Sequence, residues 1–109
     1  GQQTLPAYEL LKPYVEYVHV KDAQWGTGAV VPAGQGDGHV KEILTDLTGG
    51  GWKGFWSLEP HLTDFAGLAA LEQDPQKRGS ALDGKSAWKL ALDSLKEILA
   101  GIPQAKEAL

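Results

Sequence analysis

The chain has 109 residues, of which 42% are hydrophobic and 22% are charged, a composition typical of a folded domain with one modest core. Its formal net charge of -4 argues against a nucleic-acid-binding surface, and the lack of cysteine excludes disulfide bonds and thiolate metal ligands. No apolar stretch approaches the roughly 20 residues of a membrane-spanning helix, and the first residues do not resemble a signal peptide, so we expect a cytoplasmic location without membrane or nucleic-acid partners.

The chain begins with a predicted helix followed by a predicted strand. Residues 5–11 have apolar side chains at helical spacing, and Pro13 ends this helix because proline lacks the backbone N–H that a helix interior uses. Residues 14–20 are rich in β-branched and aromatic side chains, which favour a buried strand.

A glycine-rich loop and a second helix come next. Residues 24–38 contain many glycines and a proline, a composition typical of a loop. Asp37 is expected to cap the following helix, at residues 40–47, because its carboxylate can accept a free backbone N–H of the first turn. The glycines at residues 49–51 end that helix.

The second half of the chain predicts a short strand and a long helix. Residues 55–58 form the strand, and residues 63–84 form a loop with one helical turn near residues 68–71. Residues 85–99 form the clearest helix. Trp56 and Trp88 are predicted to lie in the core between strand and helix. Along the helix, apolar side chains recur at helical spacing at Trp88, Leu92, Leu95 and Leu99.

The predicted order α-β-α-β-α places the chain in the α/β class. Strands that alternate with helices usually pair in parallel through right-handed crossovers. Two parallel strands do not make a self-sufficient sheet, because parallel sheets have both faces covered and normally contain more strands. We therefore expect other chain segments, or other copies of this chain, to complete the sheet.

Two polar side chains at the predicted strand ends, His19 and Glu59, are candidate metal ligands. Parallel strands bring their carboxyl ends to one edge of a sheet, where α/β enzymes carry their chemistry. Because side chains alternate along a strand, Tyr17 and His19 share one face, as do Ser57 and Glu59 on the second strand. An imidazole and a carboxylate suit Mn, Mg, Co or Zn, but the same two residues can also lie beside a surface loop without a metal.

Three motifs occur in order along the chain. They are Tyr-Val-His-Val-Lys-Asp at residues 17–22, Val-Pro-Ala-Gly-Gln-Gly-Asp-Gly at residues 31–38 and Gly-Phe-Trp-Ser-Leu-Glu-Pro-His at residues 54–61. Together they resemble the xylose-isomerase-like superfamily, which includes sugar phosphate isomerases and epimerases and the apurinic endonucleases. The resemblance implies that residues 1–109 are the C-terminal part of a (β/α)8 TIM barrel, namely its last two strand–helix units with the preceding helix.

The resemblance also implies site residues and a reaction. His19 and Glu59 match two metal ligands of the family, and Glu59 matches a residue that also transfers a proton. The implied reaction is the isomerisation or epimerisation of a sugar or sugar phosphate, in which a proton moves next to a carbonyl through an enediolate with help from a divalent metal. The family's other two ligands would lie upstream, so we expect this incomplete barrel to be inactive alone. Gln35 stands where the family commonly has glutamate, which leaves that position without an inherited role.

The roles of three further residues remain open. Lys21 and Asp22 are candidate substrate-binding residues. The alternatives are that Lys21 extends into solvent and that Asp22 orients the His19 ring or caps the loop. His61, just beyond Glu59, is more simply interpreted as a loop histidine.

Two alternative functions are compatible with the sequence. One is a non-catalytic module that associates with itself through its unpaired strand edges. The other is an apurinic-endonuclease-like metal enzyme, which we disfavour because Gly28 and Val30 stand where those enzymes have a metal-binding Asp-x-His pair. The expected partners are a carbohydrate substrate in the parent enzyme, and either copies of this chain or the missing part of the barrel.

Overall fold

Over residues 2–62 and 84–108, which a computed structural model describes, the chain folds into three α-helices and four short strands. The helices are α1 (Thr4–Leu11), α2 (Val40–Gly49) and α3 (Gly84–Ala100). The strands are β1 (Tyr17–Val20), β2 (Asp22–Ala23), β3 (Val30–Val31) and β4 (Phe55–Leu58). Short 3-10 helices cover Lys12–Tyr14 and Pro103–Ala108. In this part of the chain no helix has both the length and the apolar character needed to cross a membrane.

The strands β1 and β4 pair in parallel, as the alternation of helices and strands predicted. Tyr17 lies opposite Phe55, and Val20 lies opposite Leu58. The predicted bounds of β4 are confirmed, whereas β1 begins three residues later than predicted because a 3-10 turn occupies Lys12–Tyr14. The helical turn predicted near residues 68–71 lies outside the described residues.

A small antiparallel hairpin was missed by the sequence analysis. Strands β2 and β3 pair with Asp22 opposite Val31 and Ala23 opposite Val30. The glycine-rich composition of residues 24–38 indicated a loop throughout. Each strand of this hairpin has two residues, which is too short to produce a recognisable alternation of apolar and polar side chains.

The core lies on one face of the β1–β4 pair. Val20 is buried there, and Val18, Trp56 and Leu58 pack against the same cluster. The helices, the glycine-rich loop and the C-terminal segment contribute the remaining buried members, which are Ala33, Leu44, Leu95, Ile98, Leu99, Ile102 and Ala105. The opposite face is open: Phe55 is 78% exposed and Tyr17 is 50% exposed. The prediction of a buried first strand is therefore right for the face that carries Val20 and wrong for the opposite face, which has no covering layer among the described residues.

Helix α3 buries Leu95 and Leu99 as predicted, but its first half buries a different stripe from the predicted one. Its buried residues include Ala87, Ala91 and Leu95, whereas Trp88 is 55% exposed and Leu92 is 43% exposed. The small side chains of Ala87 and Ala91 pack directly against Leu62, so the helix approaches that segment through its alanines. The core position predicted for Trp88 is wrong, because hydrophobicity alone ranked the large side chains above the alanines on the adjacent stripe.

Helix α2 begins at Val40 as predicted, but its N-terminal cap differs from the prediction. The residue before the helix is His39, which has a left-handed backbone with a φ of 55° and makes no capping hydrogen bond through its side chain. Asp37 does not cap the helix. Its carboxylate instead accepts the backbone N–H of Trp25 at 2.7 Å, which holds two parts of the loop together.

A polar cluster joins helix α1 to helix α2. The hydroxyl of Tyr8 donates a hydrogen bond of 2.6 Å to the carboxylate of Asp46, and the ammonium of Lys12 forms an ion pair with the same carboxylate. Burial and the hydrogen bond to Asp46 raise the pKa of Tyr8. The hydrogen bonds from Lys12 and Tyr8 hold the pKa of Asp46 below its ordinary value.

This cluster should make stability depend on pH in the acid range. The folded-state pKa of Asp46 is lowered, so its contribution is complete above the unfolded pKa of about 3.9 and is lost as pH falls through the folded pKa. Urea unfolding of wild type and Asp46→Asn should therefore show a difference in unfolding free energy at pH 6 that shrinks below pH 3. Asp93→Asn is the control, because it removes an exposed ion pair with Lys89 inside a single helix. A difference for Asp46→Asn that is constant across this pH range would contradict the prediction.

Candidate metal centre

The carboxyl ends of β1 and β4 bring His19 and Glu59 to the open face of the sheet. His19 lies opposite Ser57 in the strand register. The backbone N–H of Glu59 donates to the carbonyl of Val20 at 3.0 Å, which continues the ladder one step beyond β4. Because side chains alternate, Glu59 projects on the same face as Ser57, and thus on the face of His19.

The side chains at this edge form a connected polar group. Nδ1 of His19 lies 3.7 Å from Oε2 of Glu59 and 3.2 Å from Oγ of Ser57. The other carboxylate oxygen of Glu59, Oε1, lies 2.8 Å from Nε2 of His61. The ring of Tyr17 packs against the ring of His19 with their centroids 4.9 Å apart. The approach of His19 to Glu59 that parallel pairing predicted is therefore confirmed, while the ligand roles of both residues stay predictions.

The geometry of this pair is compatible with a shared divalent ion. Two ligand atoms on one such ion, at bonds of about 2.1 Å, lie roughly 3.0–3.5 Å apart, so a small side-chain adjustment from 3.7 Å would suffice. Within the described residues, no group of three or more histidine, aspartate or glutamate side chains is arranged to hold a metal. The donor types fit the ion, but two donors on a half-exposed surface make a weak site that needs further ligands.

His61 has a feature that the sequence analysis missed. Its backbone is left-handed, with a φ of 41°, which is uncommon for a residue with a side chain. This conformation follows Pro60 and accompanies a ring that faces back toward the Glu59 carboxylate. The spacing Glu-Pro-His was the available signal, but a backbone turn of this kind cannot be inferred from it.

Asp22 is buried and its carboxylate is fully engaged by the chain itself. The side chain accepts backbone N–H groups of Ala23, Gly34, Gly36 and Gly38 at 2.9 to 3.0 Å. Asp22 is only 2% exposed, so these hydrogen bonds stand in for the water that the carboxylate has lost. The structure therefore gives Asp22 an observed role as the anchor of the glycine-rich loop, and its predicted substrate-binding role stays untested.

The alternating glycines of residues 34–38 have a steric reason. A Cβ atom on Gly36 would lie 2.4 Å from Oδ1 of Asp22, and one on Gly38 would lie 2.7 Å from the same atom. Gln35, between two of these glycines, is exposed. The second of the three sequence motifs is thus a loop wrapped around Asp22 of the first.

Lys21 is the single residue that connects β1 to β2 along the chain. Its side chain is exposed, and within residues 2–62 and 84–105 its ammonium has no hydrogen bond or ion pair. Since Lys21 is two residues beyond His19, alternation would place it toward the same side of the sheet. It remains a candidate for contact with a substrate oxygen.

A cleft of about 590 Å³ lies at the other end of β4, among Trp52, Lys53, Phe55 and Gln104. Trp52 is fixed there by a 2.7 Å hydrogen bond from its indole to the carbonyl of Val15 and by stacking on Trp56. This cleft contains none of the candidate ligands. In α/β barrel enzymes, residues at the amino ends of the strands usually contribute to stability and not to catalysis. The candidate site is therefore the one at the carboxyl ends of β1 and β4, beside His19.

Comparisons with protein-family models, with curated proteins and with solved structures find no match to this chain. The geometry at the carboxyl ends of β1 and β4 is therefore the basis for a functional proposal, together with the resemblance carried by the three motifs.

Proposed function

We propose that this chain supplies part of the active site of a divalent-metal-dependent sugar or sugar phosphate isomerase or epimerase. The observation that carries the proposal is the approach of His19 and Glu59 on one open sheet face, at the carboxyl ends of adjacent parallel strands. This is the edge where α/β enzymes hold their catalytic groups. In the proposed site the two residues are metal ligands, and the ion is Mn, Mg, Co or Zn.

The residues of this chain have distinct parts in the proposed reaction. When bound, a divalent ion supplies polarisation of a substrate carbonyl, which makes the neighbouring C–H more acidic. The carboxylate of Glu59 takes that proton and returns it to the product carbon. The imidazole of His19 would hold the ion at the end of β1 as a ligand. The exposed ammonium of Lys21 binds a substrate oxygen or phosphate.

The proposed site is completed by other strands. The sheet has a free edge on each side among the described residues, and its open face bears Tyr17, His19, Phe55 and Ser57. In a closed barrel such edges are paired with neighbouring strands and such a face is covered by other side chains. The remaining ligands and the covering side chains would come from the rest of a TIM barrel or from further copies of this chain, so the chain alone is inactive.

A second candidate function is a non-catalytic module that associates with itself. The observation that favours it is the exposure of Phe55, at 78%, beside Tyr17 on the open face. Large apolar side chains clustered on an exposed sheet face commonly mark an interaction surface. Light scattering distinguishes the two: association without any response to Mn²⁺ supports this module, and association strengthened by Mn²⁺ supports the metal site.

Titration of the chain with Mn²⁺ tests the proposed ligands directly. His19→Ala and Glu59→Gln should each weaken Mn²⁺ binding, measured by calorimetry or by the electron paramagnetic resonance signal of free Mn²⁺, by about tenfold or more. The matched control is His39→Ala with Glu42→Gln, because that pair lies 3.6 Å apart at the start of helix α2, away from the candidate ligands. Mn²⁺ binding that neither substitution weakens, or an equal loss in the control, would sink the proposal.

A further inference from the structure

The contact between His61 and Glu59 divides the two oxygens of the carboxylate. Oε1 of Glu59 lies 2.8 Å from Nε2 of His61, which is hydrogen-bond distance. Oε2 lies on the other side, 3.7 Å from Nδ1 of His19. An exposed glutamate side chain is ordinarily free to change rotamer, and one well-placed donor on a single oxygen removes much of that freedom.

The backbone of His61 is adapted to this contact. Its φ of 41° lies in the left-handed region, which residues with a Cβ atom occupy at a cost. Such conformations persist where surrounding structure fixes them, and they concentrate at functional sites. Here the residue that adopts it follows the rigid Pro60 and carries the ring that meets Glu59.

We propose that His61 is a positioning residue for the Glu59 carboxylate. Nε2–H of His61 donates to Oε1, and this hydrogen bond keeps Oε2 directed toward His19 and toward a divalent cation. Carboxylates that bind metals commonly need such an outer hydrogen bond to hold their orientation. The role of this contact in metal binding rests on the proposed function, whereas the hydrogen bond itself can be measured without any metal.

The tautomer of His61 is the first test. Nitrogen-15 NMR of the imidazole at a pH where the ring is neutral should show the proton on Nε2 in wild type, and this preference should weaken in Glu59→Ala. Glu59 is half-exposed, so its removal leaves the core packing intact. A proton on Nδ1 in wild type, or a tautomer population that Glu59→Ala leaves unchanged, overturns the proposal whether or not the chain binds metal.

Rescue of Mn²⁺ affinity is the second test. His61→Ala should weaken Mn²⁺ binding by about tenfold, in line with the loss of other outer-sphere partners. His61→Gln should keep most of the affinity, because its amide also offers an N–H donor to Oε1. An equal loss in both variants would show that the imidazole is itself a ligand and would overturn the positioning role. If wild type binds no Mn²⁺ without the further ligands, the tautomer measurement alone decides the proposal for His61.

Discussion

Replacing Asp22 with alanine should destabilise the fold by at least about 3 kcal/mol, because it leaves several buried backbone N–H groups without an acceptor. The carboxylate accepts four backbone N–H groups, three of them from the glycine-rich loop. Alanine offers no oxygen, and the 2% exposure of the site leaves little access for replacement water. The glycine-rich loop should consequently lose its attachment to the end of β1.

Urea unfolding followed by tryptophan fluorescence measures this effect. Asp37→Ala is the matched control in the same loop, because Asp37 accepts a single exposed N–H, that of Trp25, and should cost about 1 kcal/mol or less. Gly36→Ala should also destabilise strongly, whereas Gly26→Ala has open space around the added methyl group. Similar unfolding free energies for Asp22→Ala and Asp37→Ala would contradict the anchoring role.

The parallel strand pair could be predicted because its signals are local. The stretch Phe55–Leu58 is short, apolar and bounded by glycine and proline, and the order of helices and strands implies its parallel partner. The side-chain period of two then places His19 and Glu59 on the same face. Contacts that follow from strand periodicity are thus accessible from a single sequence.

The errors concern choices that only tertiary packing makes. Trp88 and Ala87 are neighbours in helix α3, and which of them faces inward depends on the surface that the helix meets. Asp37 has the chemistry of a helix cap, but the folded loop presents it to the N–H of Trp25 instead. Trp88 and Asp37 each had two physically reasonable environments. The sequence alone does not show which of the two the folded chain provides.

The candidate site shows the same division. The approach of His19 to Glu59 followed from strand pairing, whereas the contact of His61 with Glu59 depends on one left-handed backbone angle. Likewise, Asp22 was selected as a polar residue at a strand end, but its burial arises from a loop that returns 12 to 16 residues later. Contacts that depend on irregular backbone conformations could therefore be identified only in the structure.

Leu44→Ala should be the most destabilising substitution of a single apolar side chain in helix α2. Leu44 is 1% exposed and belongs to the cluster that joins α2, α3 and the strand pair, with Val20 and Leu99 among its members. Removing a fully buried leucine side chain costs about 2–5 kcal/mol, since the lost apolar burial adds to the cavity left behind. The substitution keeps the backbone carbonyl of Leu44, which accepts the hydrogen bond from the Thr48 hydroxyl, so its effect comes from lost packing.

The matched control is Leu10→Ala on helix α1, which makes the same chemical change at a side chain that is 77% exposed. Its unfolding free energy should stay within about 0.5 kcal/mol of wild type, because alanine is a good helix former and little burial is lost. All variants should be compared at one protein concentration, since association through the open sheet face would raise the apparent stability. Equal effects at Leu44 and Leu10 would mean that the described cluster is not the cooperative core of the chain.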